Sequence, residues 1–332
     1  MVSPLDDNGQ LIELAMAHQK WPLAQLISLV ERNLPGACAQ RHQVMQALSR
    51  QPGCRDGLVV GITGTPGAGK STLISEVCRQ LLDIDPSSTI AVLAIDPSSE
   101  ASGGALLGDR TRMQLPVNDA RIFFRSQASA RDLGGMGPQT FHVVRLLRQI
   151  FDYVIIETVG IGQNEVEVRQ LSDHTLLVMQ PLAGDQVQFL KAGIMEIPDA
   201  FVVNKCDEDA LAQKSFHMLQ SSLKLTHLAL DQRKNSSRLI FMTSALRNRG
   251  IDTLATHLKT LQEATGSRKD RKAQDEYYLR KWIRQEYGQF GIRVYEQCVL
   301  PDWQSDSAGH ALSYEERETR FNQAMEAIIP RL

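Results

Sequence analysis

The stretch Gly64-Thr65-Pro66-Gly67-Ala68-Gly69-Lys70-Ser71-Thr72 constrains the fold of this chain more than any other feature. It fits the pattern G-x-x-x-x-G-K-[ST] and lies between an apolar run at 58–62 and a run of helical spacing at 72–82. That strand, loop and helix context distinguishes a phosphate-binding loop from a chance match. The glycines allow a tight turn whose N–H groups point inward, and the helix N-terminus adds a partial positive charge. The stretch therefore predicts a P-loop that binds a nucleoside triphosphate.

Two side chains of this P-loop have specific predicted roles. Lys70 is expected to reach the β- and γ-phosphates, and the Ser71 hydroxyl is expected to bind Mg²⁺. All residues of the stretch 64–72 are therefore candidates for nucleotide binding, and Lys70 is also a candidate for catalysis.

Composition narrows the class of protein. Apolar residues make up 42% of the 332 residues and charged residues 22%, as in an ordinary globular protein. The net charge of −2 gives no electrostatic reason to expect nucleic acid or an anionic membrane as a partner. The five cysteines are dispersed without a CxxC pair, so neither a disulfide framework nor a zinc site is predicted. No signal peptide or membrane span is visible, and we expect a reducing, cytoplasmic location.

Between residue 57 and about 265, apolar runs alternate with segments of helical spacing. Most of the runs are continuous, as expected for a parallel sheet that is covered on both faces. Strands are predicted at 58–63, 89–95, 121–124, 153–156, 175–179, 200–204 and 239–243. Helices are predicted at 72–82, 138–150, 186–195, 209–228 and 251–264. The pattern therefore predicts an α/β fold with a mostly parallel sheet flanked by helices.

Both ends of the chain are predicted to be helical. Residues 1–50 have apolar positions at helical spacing and form a predicted N-terminal extension to the nucleotide-binding domain at 51–265. A polar, charged break at 266–272 precedes two further predicted helices, at about 273–288 and 313–329. Patterning alone leaves two possibilities for residues 266–332, which could fold back on the domain or pair with a second copy of the chain.

Acidic residues follow two predicted strands near the P-loop. Asp96 comes directly after one apolar run and Glu157 after another, and carboxyl ends of parallel strands meet at one edge of a sheet. A P-loop needs such a partner to hold Mg²⁺. Asp109 lies in the long polar loop 97–119 and could enter the site when that loop closes. Gly160 would let a backbone N–H approach the γ-phosphate.

The tetrapeptide Asn204-Lys205-Cys206-Asp207 follows another predicted strand and fits the N-K-x-D pattern of guanine-binding proteins. The Asp207 carboxylate can accept hydrogen bonds from guanine N1–H and from the exocyclic amine, a pattern that adenine does not offer. Lys205 is expected to pack along the base and Asn204 to brace the loops. The segment Thr243-Ser244-Ala245-Leu246, at the end of the last strand, completes the predicted pocket, where the Ala245 N–H can donate to guanine O6. The sequence therefore predicts GTP and GDP as ligands.

At this point the chain resembles a known family, the MeaB/ArgK-type P-loop GTPases that act as G-protein chaperones of adenosylcobalamin-dependent methylmalonyl-CoA mutase. The resemblance covers roughly residues 10–330. It is carried by the segments 61–72, Ala94-Ile95-Asp96-Pro97-Ser98-Ser99, Gly103-Gly104, Leu107-Gly108-Asp109-Arg110-Thr111-Arg112-Met113, Glu157-Thr158-Val159-Gly160-Ile161-Gly162-Gln163 and Asn204-Lys205-Cys206-Asp207.

The resemblance implies a SIMIBI-type GTPase fold and a specific role. GTP binding and hydrolysis would gate delivery of adenosylcobalamin to methylmalonyl-CoA mutase and protect that enzyme from inactivation. Members of the family are typically homodimers joined through C-terminal helices, which favours 266–332 as a dimerisation arm.

The resemblance also implies roles for particular side chains. The Mg²⁺-binding and catalytic acids of the family correspond to Asp96, Asp109 and Glu157. A loop that senses the partner protein corresponds to 184–191, where Asp185, Gln188 and Lys191 are the implied contacts. The entry to this loop, Gln180-Pro181-Leu182-Ala183, is less rich in glycine than the family pattern.

The position of one glutamine predicts the rate of hydrolysis. In small signalling GTPases a glutamine directly after the switch glycine orients the attacking water, but Ile161 occupies that place here. Gln163, two residues later, is the remaining candidate. We therefore expect slow intrinsic turnover that rises when a partner protein orders the loops.

Three other functions fit parts of the pattern. A nickel-inserting GTPase shares the fold but usually has His- or Cys-rich metal motifs, which are not visible here. A kinase or ATPase linked to transport would prefer ATP, against which the N-K-x-D motif argues. A regulatory module could bind GTP without meaningful turnover.

Overall fold

The structure is a computed structural model. It describes residues 4–32, 37–96, 115, 119–128, 136, 138–158, 165–181, 197–229, 239–264, 268–301 and 312–328. Within the described chain the residues form two compact units, one of residues 55–137 and 150–268 and one of residues 1–54, 138–149 and 269–332.

The first unit is built around a seven-stranded sheet in which every pair of neighbouring strands is parallel. Its strands in chain order are β1 Leu58–Gly64, β2 Ile90–Asp96, β3 Ile122–Ala128, β4 Tyr153–Thr158, β5 His174–Met179, β6 Ala200–Val203 and β7 Leu239–Met242. The order across the sheet is β3-β2-β4-β1-β5-β6-β7. The predicted α/β fold with a parallel sheet is confirmed, and each predicted strand is present.

Helices cover both faces of this sheet, as the continuous apolar strands require. The numbering of all helices follows the whole chain: α1 Pro4–Met16, α2 Lys20–Val30, α3 Ala37–Ser49, α4 Lys70–Ile84, α5 Pro138–Ile150, α6 Glu165–Leu171, α7 Asp209–Ala229, α8 Ile251–Glu263, α9 Arg271–Val294 and α10 Tyr314–Ile328. The apolar sides of α4 and α8 bury one face of the sheet in a core that includes Leu73, Val77 and Leu254. On the other face, α7 covers β5 and β6 through Ala212 and Leu219.

Helix α6 was not predicted from the sequence. It has seven residues, too few for helical spacing to stand out. Its close approach to β1 depends on Gly61, because a Cβ there would lie 2.2 Å from Val168 Cγ1 and 2.8 Å from Ser172 Oγ. The helix predicted at 186–195 and most of the long loop 97–119 lie outside the described residues.

The second unit is entirely helical within the described residues and consists of α1, α2, α3, most of α5, α9 and α10. A π-helical turn, Tyr295–Val299, follows α9, and Gly288 interrupts the helical backbone of α9 with a φ of 61°. The Phe141 ring on α5 stacks on Tyr278 of α9, with ring centroids 4.2 Å apart. Residues from the two ends of the chain thus share one unit with a helix that lies between β3 and β4 in the sequence.

Buried ion pairs also join the segments of this helical unit. Arg145 on α5 is hydrogen-bonded to Glu315 on α10, and Arg41 on α3 is hydrogen-bonded to Glu318 on the same helix. The side chains of Arg145 and Glu315 are 11% and 2% exposed. Buried ion pairs therefore contribute to the packing of α10, and the hydrophobic pattern of the sequence does not predict them.

Candidate nucleotide-binding site

The P-loop lies at the carboxyl end of β1 and leads directly into α4. Gly64 has a φ of 148°, and a Cβ there would meet the Val178 carbonyl oxygen of β5 at 2.0 Å. Gly69 precedes α4 with a left-handed φ of 82°, and a Cβ there would lie 2.8 Å from Asn204 Nδ2. The predicted need for glycine therefore has two causes, which are backbone conformation and the close approach of neighbouring strands and loops.

Lys70 is held inside this loop. Its Nζ donates hydrogen bonds to the carbonyl oxygens of Gly64 at 3.0 Å and Thr65 at 3.1 Å, and the residue is 8% exposed. A buried ammonium group with fixed position at a helix N-terminus suits an anionic phosphate chain.

Ser71 and Glu157 lie together beside the loop. The Ser71 hydroxyl donates a hydrogen bond of 2.8 Å to Glu157 Oε1, and Glu157 is only 5% exposed although it is a carboxylate. Hydroxyl and carboxylate oxygens are the ligands that Mg²⁺ prefers, either directly or through water. The pair therefore fits a hard divalent cation next to the phosphates.

Sheet register relates Glu157 to the second predicted acid. Glu157 pairs with Ile62 of β1 on one side and with Ala94 of β2 on the other. Asp96 ends β2 two residues beyond Ala94, on the same edge of the sheet. Its side chain lies outside the described part of the chain.

The predicted base-reading segment, residues 204–207, contacts the P-loop directly. Asn204 follows β6 and is 1% exposed, and its Nδ2 donates to the carbonyl oxygens of Ala68 at 2.9 Å and Gly69 at 3.5 Å. Its Oδ1 accepts a hydrogen bond of 3.1 Å from Thr243 Oγ1. Asn204 thus joins the phosphate-binding loop to the segment after β7, as a bracing residue would.

Asp207 is held in place by the same segment after β7. The Ser244 hydroxyl donates a hydrogen bond of 2.5 Å to Asp207 Oδ1, and Ser244 Oγ in turn accepts from the Arg247 N–H at 3.0 Å. The Arg247 guanidinium lies 3.9 Å from the same carboxylate oxygen. The carboxylate predicted to read guanine therefore has a fixed orientation.

The remaining residues of the predicted pocket lie in residues 204–207 and in the turn after β7. Leu246 is 86% exposed, and Lys205 is exposed with a left-handed φ of 63°. Ala245 lies between Ser244 and Leu246 in the turn that the Ser244–Arg249 bridge closes. Burial raises the pKa of the Cys206 thiol, whose Sγ donates to the Val203 carbonyl oxygen at 3.1 Å, so Cys206 acts as a packing residue.

Five predicted site residues lie outside the described residues: Asp109, Gln163, Asp185, Gln188 and Lys191. Their assigned roles stay predictions. The other candidates are brought to one edge of the sheet by the ends of β1, β2, β4, β6 and β7.

Thr243, which belongs to the predicted pocket, orients Asn204. Sequence reasoning missed two other side chains at this edge. Arg247 lies beside Asp207, and Gln180 accepts a hydrogen bond of 3.4 Å from Lys205 Nζ. Each directly follows a strand or lies a few residues beyond one, which is the only sequence signal that could have indicated them.

Comparisons with known proteins agree with this geometry. The family described as "Methylmalonyl Co-A mutase-associated GTPase MeaB" matches residues 23–290. The chain is 36% identical to GTPase ArgK of Escherichia coli K12 over 274 residues, which are 80% of each chain. It is 31% identical over 290 residues to the protein of Caenorhabditis elegans named "Methylmalonic aciduria type A homolog, mitochondrial", covering 84% of this chain and 72% of that one.

Solved structures show the same fold. The crystal structure titled "LAO/AO transport system kinase" superposes with a TM-score of 0.61 and 26% sequence identity, and the match covers 99% of both chains. A family match that includes the P-loop, Glu157 and the N-K-x-D segment extends over most of the sequence. The chain therefore belongs to the MeaB family of P-loop GTPases.

Proposed function

We propose that this protein binds GTP with Mg²⁺, hydrolyses it slowly, and serves as a chaperone of methylmalonyl-CoA mutase. In this role it gates loading of adenosylcobalamin and protects the mutase from inactivation. The observation that carries GTP binding is the contact of Asn204 with the P-loop beside an Asp207 oriented by Ser244. This arrangement supports the binding of the phosphates and the base of one GTP molecule by these two neighbouring segments.

The chain's own residues have distinct tasks in hydrolysis. Lys70 and the N–H groups of the P-loop bind and orient the β- and γ-phosphates, and they stabilise negative charge that develops during in-line attack by water. Ser71 and Glu157 would hold Mg²⁺, with Asp96 and Asp109 as further predicted ligands. Mg²⁺ bound there would neutralise charge on the phosphate oxygens. Gln163 is the predicted water-positioning side chain.

Nucleotide choice is tested by binding. Affinities for GTP, GDP and ATP are measured by titration of fluorescent analogues, and we expect strong preference for guanine nucleotides because Asp207 accepts two guanine hydrogen bonds. Lys70→Ala should abolish phosphate binding or hydrolysis. Equal affinity for ATP and GTP would contradict the assignment, and unchanged turnover in Lys70→Ala would remove the P-loop from the mechanism.

The mutase role is supported by the family description and by the name of the Caenorhabditis elegans relative, which is called a methylmalonic aciduria type A homolog. The test compares single-turnover GTP hydrolysis with and without purified methylmalonyl-CoA mutase. We expect slow hydrolysis alone and a marked increase with the mutase. Fast hydrolysis that no mutase changes would overturn the proposed role.

We also propose that two copies of the chain form a homodimer joined through residues 266–332. Sedimentation or light scattering of the full chain should give twice the monomer mass. A monomer at every concentration and nucleotide state tested would contradict it.

A transport-linked kinase is the second candidate, because the solved structure with TM-score 0.61 carries that title. The oriented Asp207 carboxylate favours GTP over the ATP that such a kinase would use.

A nickel-inserting GTPase would need a cluster of metal-binding side chains. The described residues contain no group of three or more His, Cys, Asp or Glu side chains that could hold a metal ion. Nor does any described helix have the length and hydropathy needed to cross a membrane.

A further inference from the structure

A groove lies between helices α1 and α2 of the helical unit and is called here the α1–α2 groove. Its volume is about 620 Å³, and its apolar lining comes from Leu11 and Leu14 of α1 and from Trp21, Ala24 and Leu29 of α2. Several of these residues precede residue 23, where the match to the family model begins. The shared features of the family therefore do not account for this groove.

Helix α2 carries apolar side chains on two of its sides. On one side Leu23, Leu26 and Ile27 are fully buried in the helical unit. On the other side Trp21 and Leu29 line the groove, and Trp21 is 70% exposed. A surface helix needs only one apolar side to cover a core, and exposed tryptophans often anchor protein interfaces. The second apolar side of α2 therefore indicates a surface that another element covers.

Arg32 is the charged residue of the groove lining. Its backbone carbonyl oxygen accepts a hydrogen bond of 2.9 Å from Arg41 Nη1, so the position of the residue is fixed. Its own side chain is exposed and forms no ion pair with any side chain that the structure describes. A guanidinium group pairs best with a planar carboxylate. The chemistry at this end of the groove therefore suits a ligand with an acidic group.

The shape of the groove suits a helix. The residues of α2 that line it follow one another at helical intervals from Trp21 through Ser28 to Arg32. Rows of side chains with this spacing form the ridges and grooves into which a second helix packs. Trp21 and Leu29 are about 12 Å apart along the axis of α2 at 1.5 Å per residue, and Arg32 follows the end of the helix. A ligand helix of about three turns covers this length.

A second copy of the same surface fits less well. No aspartate or glutamate is among the described residues that line the groove. Two copies packed groove to groove would therefore leave both Arg32 side chains without a carboxylate. An interface that covers a charge without pairing it loses free energy, so the charge of the groove favours an acidic partner over a second copy.

We propose that the α1–α2 groove binds an amphipathic helix of a partner protein. The helix places apolar side chains against Leu14, Trp21 and Leu29 and a carboxylate against Arg32. In this mode of recognition the ligand supplies apolar contacts from positions i, i+3 or i+4 and i+7. The proposal depends neither on bound nucleotide nor on the mutase role, so its failure would leave both unaffected.

The ligand class is tested with a phage-displayed library of helical peptides of about 14 residues, or four turns. Selection on the full-length protein should enrich peptides with the apolar pattern and with aspartate or glutamate at one end. These peptides should bind Trp21→Ala at least about tenfold more weakly than wild type. Met218→Ala removes another exposed apolar side chain, on α7, and is the matched control that should not change binding.

Three outcomes of the selection would contradict the proposal. The first is that no peptide is enriched. The second is that the enriched peptides are basic or lack helical spacing of apolar residues. The third is that they bind wild type and Trp21→Ala equally.

The charged contact is tested with the most enriched peptide, whose affinity is measured by fluorescence anisotropy. Arg32→Gln in the protein and replacement of the peptide carboxylate by an amide should each weaken binding about tenfold. Both changes together should weaken it no more than either alone, as expected for two groups that interact. Arg50→Gln changes an exposed arginine outside the groove lining and should leave the affinity unchanged. Additive losses would show that the two groups do not pair and would overturn the proposed contact.

Sedimentation of wild type and Trp21→Ala at equal concentration separates a partner helix from a second copy. We expect the same mass for both, and a lower mass for the variant would show that another copy of the chain occupies the groove, which would exclude the proposal. Circular dichroism should show the same helix content in both proteins. Arg32→Gln changes an exposed side chain, so the affinity measurement decides the question even if Trp21→Ala loses helix content.

Discussion

Asp207 is the single side chain on which the proposed preference for guanine nucleotides depends most. The Ser244 hydroxyl donates to its carboxylate at 2.5 Å, and the Arg247 guanidinium lies 3.9 Å away. A fixed carboxylate keeps both acceptors aimed in one direction, so a base that lacks two matching donors leaves a polar group unpaired.

Replacing Asp207 by Asn should change which purine is bound. The amide offers one acceptor and an N–H donor, which opposes the exocyclic amine of guanine and suits the carbonyl group at the same position of xanthine. We expect GTP affinity to fall by about a hundredfold or more and XTP affinity to rise. Titration with both nucleotides measures this, with Asp209→Asn as control, since Asp209 is 75% exposed and paired with Arg249. GTP affinity within twofold of wild type would contradict the assignment.

Removing the Ser71 hydroxyl should uncouple nucleotide binding from Mg²⁺. Ser71→Ala loses a hydroxyl that lies 2.8 Å from Glu157, so we expect about tenfold weaker GDP binding at saturating Mg²⁺ and little change in chelator. The control is Ser75→Ala on the same helix, where the hydroxyl donates a hydrogen bond of 3.0 Å to the Ser71 carbonyl oxygen and does not contact Glu157 in the described chain. The same loss with and without Mg²⁺ would exclude the metal role.

At the scale of secondary-structure elements, close backbone approach and buried ion pairs fix the positions of helices. Intrinsic helix and strand propensities do not determine those positions. Helix α6 lies against β1 because Gly61 has no side chain, and α5 is tied to α9 and α10 through Arg145. The Arg145 guanidinium also lies 5.1 Å from the ring centroid of Tyr314. These contacts set where the elements lie once the hydrophobic pattern has formed them.

Gly61→Ala should destabilise the sheet unit. The new Cβ would lie 2.2 Å from Val168 Cγ1, and overpacking of this kind costs about 1–3 kcal/mol of unfolding free energy. Urea unfolding measures the loss, and Val168→Ala in the same chain should recover part of it. Gly9→Ala is the control, because its Cβ would meet nothing within 4 Å in α1 and should stabilise the helix by about 0.5–1 kcal/mol. Equal stability of Gly61→Ala and wild type would show that α6 can move away.

Arg145→Met should destabilise the helical unit strongly. The variant leaves the buried Glu315 carboxylate without its ion-pair partner. Burial alone would raise the pKa of Glu315, but the Arg145 guanidinium lowers it below its usual value. Loss of one member of a buried pair costs about 3–5 kcal/mol, and adding Glu315→Gln should recover much of it. Arg79→Met breaks the surface pair with Glu76 and should cost less than about 1 kcal/mol in the same denaturation experiment. Similar losses for both variants would contradict a special role for the buried pair.

On the scale of the whole molecule, stability should depend on pH through His142. Its imidazole is 4% exposed in the helical unit, and burial, followed by Arg41 and Arg145, holds its pKa well below the usual 6.5. The unfolded chain therefore binds a proton near pH 6 that the folded chain does not. Stability is lost as pH falls below 6.5, by up to about 1.4 kcal/mol per pH unit.

His142→Leu isolates this effect. Burial raises the pKa of the Glu318 and Asp275 carboxyls, so their protonation stabilises the folded chain at acid pH and opposes the histidine. The free energy of unfolding of both proteins is measured from pH 7.5 to 5.5. Subtracting the variant's values from those of the wild type cancels the contribution of the two carboxyls. The variant should lose less stability on acidification than wild type, whereas exposed His217→Leu should not differ from it. Parallel curves for His142→Leu and wild type would contradict the prediction.

Local patterns were enough to predict much of the fold and many of the candidate residues. The strands are continuous apolar runs, so their number and parallel arrangement follow from burial on both faces. The P-loop, Asn204 and Asp207 could be identified because each lies directly after a strand in a short pattern that reflects the geometry of its ligand. Sequence spacing gave no comparable signal for Gln180, Arg247 or α6.

The sequence by itself determined the strands, the P-loop and the N-K-x-D segment predicted to read guanine, since each is recognised from residues within a few positions of one another. Only the tertiary structure decided which atoms make these contacts, with Asn204 Nδ2 donating to the Ala68 carbonyl oxygen and Glu157 Oε1 accepting from the Ser71 hydroxyl. It also decided that α3, α5, α9 and α10 share one unit through buried ion pairs and stacked rings. The physical reason is that these contacts join residues far apart in the chain, and their energies depend on burial and distance, which local patterns do not record.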